Sequence, residues 1–249
     1  MLIIGAGGFA KELLEVFQEK GSVDNIAFYD DVNMNNRDLL FNKFPILRNE
    51  TEVSTFFSTN GNEFTIGIGN PALRYKMHKK FSALGGDLKS VISPKSHLGS
   101  FEVSLGQGCN ILQGATFSNT SWAGMACIVY YNAVITHDCS IGDFCQLAPG
   151  ATLLGGARVN EFGVIGSNAT ILPKIVVGKH SIIGAASVVT KDVADYSLMI
   201  GNPARRIGWV SEYGAKLVFD DNNRAVCSVS GEQYSIKNNC VTQISERTI

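Results

Sequence analysis

The stretch from Leu105-Gly106-Gln107-Gly108-Cys109-Asn110-Ile111 to Val189 decides the fold, because one spacing runs through it without slipping phase. Stepping by six from Leu105 gives Ile111, Phe117, Ala123, Val129, Ile135, Ile141, Leu147, Leu153, Val159, Ile165, Ile171, Val177, Ile183 and Val189. Only Ala123 in this column is not Leu, Ile, Val or Phe. Four residues after each large side chain comes a small one in nearly every repeat, from Cys109, Ala115 and Ser121 to Ser181 and Ser187. Glycine recurs directly after the large column at Gly106, Gly124, Gly142, Gly166, Gly178 and Gly184. A period of six suits neither an α-helix nor a long alternating strand. It suits short strands joined by tight turns, each sending one large and one small side chain inward. Three such strands close a triangular coil of 18 residues, and stacked coils bury both columns. This is the hexapeptide signature of a parallel β-helix, here of about five coils. The glycines serve turns that need positive φ or leave no room for a Cβ. Cys109, Cys127, Cys139 and Cys145 fall in the small inward column, so they read as packing residues rather than ligands or nucleophiles.

The first ninety residues have a different grammar. Met1–Gly5 reads as a short apolar strand, and Lys11–Lys20 has helical spacing at Leu13, Leu14 and Phe17. Further strands are expected at Ile26–Tyr29 and Phe64–Ile68, with a helix over Ala72–Leu84 behind Pro71. Gly5-x-Gly7-x-x-Ala10 sits between strand and helix, and Asp30-Asp31 follows at the dinucleotide-fingerprint distance. Such a loop lets a phosphate approach backbone N–H groups while a carboxylate receives ribose hydroxyls. The segment is too short for two mononucleotide halves, so one half would hold a nucleotide diphosphate. A small α/β cap with a glycine turn is the bland alternative.

The chain has 249 residues, with Lys+Arg 21 against Asp+Glu 22 and net charge −1. That balance makes no electrostatic case for nucleic acid or an anionic membrane. No apolar run approaches the roughly 20 residues that span a bilayer. Gly5 and Gly7 interrupt the apolar start, so no signal peptide is read and a cytoplasmic location is expected. The six cysteines show no metal spacing.

Of four histidines, His78 reads as solvated surface, and His97 and His180 are assigned no role. His137 lies two residues after inward Ile135, so it leaves the coil at a corner, with Asp138 beside it. Eighteen residues on is Gly155, one coil away. A base beside a bare N–H that can receive an oxyanion suits acyl transfer. An outward surface histidine remains the other reading.

Gly5-Ala6-Gly7-Gly8-Phe9-Ala10-Lys11-Glu12, Tyr29-Asp30-Asp31, Ile68-Gly69-Asn70, His137-Asp138-Cys139-Ser140-Ile141-Gly142-Asp143 and Gly201-Asn202-Pro203-Ala204-Arg205 together resemble the NeuD/PglD-like sugar acyltransferases. The resemblance covers about residues 1–207. It implies a Rossmann-like half domain (1–90), a left-handed parallel β-helix (91–207) and a short β-rich extension (208–249). It implies a homotrimer that N-acetylates a nucleotide-linked 3-amino or 4-amino sugar from acetyl-CoA, without a metal, for bacterial surface glycans. By resemblance His137 is the general base and Asp138 orients it, while the Gly155 N–H holds the thioester carbonyl. Gly7, Gly8, Asp30, Asp31, Asn70 and Arg74 match the nucleotide-sugar side. Gly155, Ser167 and Ala185 match the CoA groove, and Gln146 stands where relatives often carry a second histidine. Sugar O-acetylation and, more remotely, a nucleotide-binding oxidoreductase are the alternatives.

The tail beyond residue 207 resembles zinc-ribbon tails on some related transferases, but of four candidate ligands only Cys227 is present. Ser211, Tyr213 and Ser230 fill the other places, so no zinc is expected. Hairpins are expected around Asp220–Asn223 and Lys237–Asn239, packing at the end of the β-helix.

Overall fold

The computed structural model describes residues 1–33 and 38–244, so the last five residues of the expected 208–249 extension lie outside it. Strand β1 (Leu2–Ile4) is fully buried and leads through Gly5–Gly7 into helix α1 (Gly8–Glu19). Strand β2 (Ala27–Tyr29) follows, then β3 (Leu39–Leu40) and β4 (Phe44–Leu47). Helix α2 (Glu50–Asn60), strand β5 (Glu63–Ile66), helix α3 (Pro71–Ala83) and strand β6 (Asp87–Leu88) complete the first sheet, ordered β3-β4-β2-β1-β5-β6. Both neighbours of β1 run parallel to it, Leu2 facing Ala27 on one side and Phe64 on the other. β1 is therefore the point where strand order reverses, and its carboxyl edge opens the crevice that such sheets offer ligands.

Helix α2 and the β3–β4 hairpin carry no expectation from the sequence. The apolar stripe of α2 is short, Val53 buried with Phe56 and Phe57 half-buried beside it. Its signal is the cap instead: the Asn49 Oδ1 accepts from the Glu52 N–H at 3.0 Å, and the Glu52 carboxylate accepts in return from the Arg48 N–H.

From Val91 the chain winds into the β-helix. Two-residue strands stack in three parallel sheets with an 18-residue register: Asn110 faces Ile128, Thr116 faces Val134, and Trp122 faces Ser140. The large column from Ile111 to Val189 is buried throughout, as is the small column from Cys109 to Ala169. Each fully buried aliphatic side chain stabilises the fold by ~1.5–3 kcal/mol. The recurring glycines prove to be close-approach positions. A Cβ on Gly106 would lie 2.6 Å from the Gly124 backbone, and one on Gly166 would lie 2.6 Å from the Ala185 nitrogen. Positive φ is carried instead by corner residues such as Asn132, Asp138, Phe144 and Asn168.

The first sheet packs on the outside of the β-helix through two apolar clusters, separate from the core inside the coils. Phe9, Leu13 and Phe17 of α1 pack with Val91, Leu112 and Ile128, while Phe64 and Phe81 pack with Ala126 and Phe144. A buried polar tie reinforces the seam: the Asn110 amide donates to the Ile66 carbonyl and accepts from the Thr65 hydroxyl, each at 3.0 Å.

After the last coil, Ser197–Ile200 extends the first β-helix sheet, and the antiparallel Arg205–Val210 and Lys216–Leu217 continue it. The tail then forms its own three-stranded sheet over Arg224–Val226, Gln233–Lys237 and Cys240–Gln243. The hairpin at Asn238-Asn239 is present, both residues at positive φ. Around Asp220–Asn223 the turn closes by Asp220 N–H to Arg224 C=O, but its flanking strands join different sheets. Ser211, Cys227 and Ser230 do converge: Cys227 Sγ lies 3.1 Å from Ser211 Oγ and 3.4 Å from the Ser230 nitrogen. Among the described residues no cluster of three or more His, Cys, Asp or Glu is placed to hold a metal ion. No helix there is long and apolar enough to cross a membrane.

Candidate active site

His137 leaves the coil after Val134–Ile135, at the corner between the second and third strands. Asp138 takes the corner at φ 61, which turns its carboxylate back onto the ring, and His137 Nδ1 lies 2.7 Å from Asp138 Oδ2. Both side chains are mostly exposed, at 68% and 60%. The imidazole lies against Gly155 of the adjacent coil: a Cβ there would stand 2.6 Å from Cε1 and 2.8 Å from Nε2. The Gly155 carbonyl accepts from the Lys174 N–H at 3.0 Å, while its own N–H donates no hydrogen bond among the described residues. The imidazole, its carboxylate partner and the Gly155 N–H therefore share one corner.

The crevice lies at the carboxyl ends of β2, β1 and β5. Helix α1 begins at Gly8 with no side-chain cap and no acidic residue in its first turn. The helix start is uncrowded, since nothing lies within 4 Å of a Cβ on Gly7 or Gly8, and the first-turn N–H groups of a helix lack intrahelical partners. Ala10, in place of a third glycine, packs on Gly67, where a Cβ would meet the Ala10 Cβ at 2.7 Å. The two acids behind β2 differ. Asp30 is buried; its carboxylate accepts from the Val32 and Asn33 N–H groups and the Asn33 amide, and so shapes the loop. Burial pushes its pKa up, but the Asn33 side chain and these N–H groups outweigh that and hold it below the usual range. Asp31 is the half-exposed acid, held 2.8 Å from the Tyr29 hydroxyl and 3.5 Å from Lys80 Nζ.

Arg74, matched by resemblance to the nucleotide-sugar side, is enclosed by backbone. It is 1% exposed, and its guanidinium donates to the Gly69, Ala126, Phe144 and Cys145 carbonyls. Burial lowers its pKa to about 10, which leaves it charged at neutral pH. It clamps the first sheet to the β-helix through these carbonyls. Asn70 is likewise engaged: Oδ1 caps α3 at the Leu73 N–H, and Nδ2 donates to the Tyr213 carbonyl of the tail at 3.0 Å.

The remaining predicted residues are spread around the prism. Gln146 lies on the first strand face, against Gly69. Ser167 and Ala185 lie one above the other at the corner between first and second strands, the Ser167 carbonyl accepting from the Ala186 N–H. The first sheet covers the first face and its flanking corners, through Tyr130 and Ile128 on one side and Ala126 and Phe144 on the other. His137 is at the remaining corner. One chain thus keeps its candidate base apart from its own crevice.

A family profile described as the PglD N-terminal domain matches residues 1–81. The crystal structure of PerB from Caulobacter crescentus, in complex with CoA and GDP-perosamine, is 30% identical. The match covers 83% of this chain and 96% of that one, with a TM-score of 0.76. The chain belongs to the NeuD/PglD-like sugar acyltransferase family. The acetyltransferase domain of PglB from Neisseria gonorrhoeae, in complex with acetyl coenzyme A, is 29% identical over 83% of this chain and 98% of its own, with a TM-score of 0.75. The dTDP-3-amino-3,6-dideoxy-alpha-D-galactopyranose 3-N-acetyltransferase of Aneurinibacillus thermoaerophilus is 47% identical over 60 residues, which span 30% of its length.

Beyond the family's motifs the structure adds a group. His180 is no bare surface histidine: its ring stacks between Phe162 and Tyr196, at 4.6 and 5.0 Å, and Nε2 lies 3.6 Å from Glu212. Phe144, Phe162 and His180 stand one above another at the 18-residue spacing, a ladder readable from the sequence. Glu212, from the tail, carried no sequence signal.

Proposed function

We propose that this protein transfers an acetyl group from acetyl-CoA to the amine of a nucleotide-linked amino-deoxy sugar. The observation that carries the reading is His137, paired through Nδ1 with Asp138 and lying over Gly155. A carboxylate only accepts, so Nδ1 holds the proton and Nε2 is left as the base. The acceptor nitrogen bonds to the thioester carbonyl carbon while Nε2 takes its proton. The C–S bond then breaks, and the leaving CoA thiolate receives that proton. The Gly155 N–H meets the negative charge that builds on the carbonyl oxygen. A thioester is already activated, so this chemistry requires no metal.

The substrate class rests on the crevice and on the relatives, which include a GDP-perosamine complex and a dTDP-aminosugar N-acetyltransferase. The α1 N-terminus at Gly7-Gly8 takes the diphosphate, and Asp31 takes ribose hydroxyls. Asp30 acts indirectly, by shaping the loop. Because His137 and the crevice sit apart on one chain, each site is built between copies in a homotrimer. CoA lies in the groove between them, near Gly155 of one copy and Ser167, Ala185 and Gln146 of the next. The setting is cytoplasmic surface-glycan biosynthesis.

Thiol release tests the reading. Acetyl-CoA is offered with UDP-, dTDP- and GDP-linked 3-amino and 4-amino sugars, and with CMP-sialic acid and free sialic acid as hydroxyl controls. Release with one aminosugar supports it. Release with the controls alone converts the reading to O-acetylation, and silence throughout overturns it.

A further inference from the structure

A cavity of about 340 Å³ opens directly beyond the carboxyl end of β5. One side is the Gly69–Asn70–Pro71 turn, and the floor is Gln146, Val164 and Ile182 of the first β-helix face. The far wall comes from the tail, residues 211–214, with Glu212 beside His180. The tail is tied to the turn by the bond from Asn70 Nδ2 to the Tyr213 carbonyl. A volume of this size is in the range of small-molecule sites.

The strand order says what reaches it. Asp31 stands behind β2, the open α1 N-terminus behind β1, and Gly69–Asn70 behind β5, with β1 in the middle. A nucleotide-linked sugar with its ribose at β2 and its diphosphate at β1 runs on toward β5. The cavity is the concavity next along that path. Its surfaces suit a pyranose: Val164 and Ile182 offer an apolar floor for a ring face or deoxy carbon, and Gln146 and Glu212 offer polar edges for hydroxyl and amino groups.

We infer that the cavity receives the sugar ring and that the tail segment Ser211–Gly214 is its specificity-determining wall, with the Glu212 carboxylate accepting hydrogen bonds from the sugar's polar rim. This inference rests on the nucleotide-sugar reading above. It gives the tail a role beyond packing, and makes sugar choice a property of residues outside the β-helix.

Calorimetry on the full-length protein tests it without relying on turnover. Each nucleotide-linked aminosugar of the panel is compared with its bare nucleoside diphosphate, and the ratio of affinities is the contribution of the sugar. Glu212→Gln keeps the size of the side chain and removes its charge; Tyr213→Ala opens the wall. The inference expects Glu212→Gln to cut the sugar contribution about tenfold, the worth of a hydrogen bond to a charged group. Bare nucleotide affinity should stay within about twofold. Tyr213→Ala should change the ranking of sugars across the panel, with bare nucleotide binding again unchanged. A sugar contribution and ranking preserved in both variants overturn the inference and leave the function intact. Failure of the unmodified protein to bind any member of the panel overturns both.

Discussion

Substituting Gly155 by alanine isolates the geometry at the proposed base. The backbone there is not at positive φ, so alanine costs no strain, but its Cβ would stand 2.6 Å from Cε1 of His137. Ordinary contact begins near 3.4 Å, so the ring must retreat by roughly 0.8 Å. His137 is 68% exposed within its own chain, so moving its ring does not disturb the core inside the coils. Folding should therefore be spared, with a change under about 1 kcal/mol, or a Tm shift of ~2–4 °C at most. Catalysis should not be spared, because a misplacement of about 1 Å can cost ~10²-fold. The assay is thiol release at saturating acetyl-CoA, with a thermal melt on the same preparation. A variant that melts normally and turns over at full rate would refute the idea that His137 works from its seat on Gly155. A variant that unfolds would refute the claim that this contact is functional rather than architectural.

Arg74→Leu should destabilise the fold by ~2–4 kcal/mol in denaturant titration, because buried carbonyls of Gly69, Ala126, Phe144 and Cys145 lose their donor. Glu19 is held below its ordinary range mainly by the Lys95 side chain, then by the Ser93 hydroxyl. Its contribution is present above pH 4.5 and is lost as the pH falls through the lowered folded value, so Glu19→Gln should lower the melting temperature at pH 7, with the difference shrinking as the pH is taken below 4.5. Mixing subunits of His137→Ala with subunits of Asp31→Ala, each inactive alone, should restore activity in mixed oligomers; no recovery would contradict an intersubunit site.

The β-helix was legible because its packing repeats. Every inward position from Ile111 to Val189 answers to the same local geometry, so many residues vote for one phase. The strand–glycine–helix start was legible because α1 has an apolar face, with Leu13, Leu14 and Phe17 buried. Helix α2 was not, because it buries only Val53 fully, with Phe56 and Phe57 half-buried beside it, and the rest of the helix is polar. Arg74 shows the harder limit. The resemblance matches it to the nucleotide-sugar side, and only the chain's path brings carbonyls from residues 69, 126, 144 and 145 around it. Glu212 is similar: the tail has no repeat, and only tertiary structure sets it beside His180 and the β5–α3 turn.

The most direct measurement is the rate of acetyl transfer by His137→Ala against the unmodified protein, with nucleotide-sugar affinity measured on both. A loss of ~10²–10⁴ in kcat with affinity unchanged is what a general base predicts. Transfer at the unmodified rate would contradict the central claim that His137 removes the acceptor's proton.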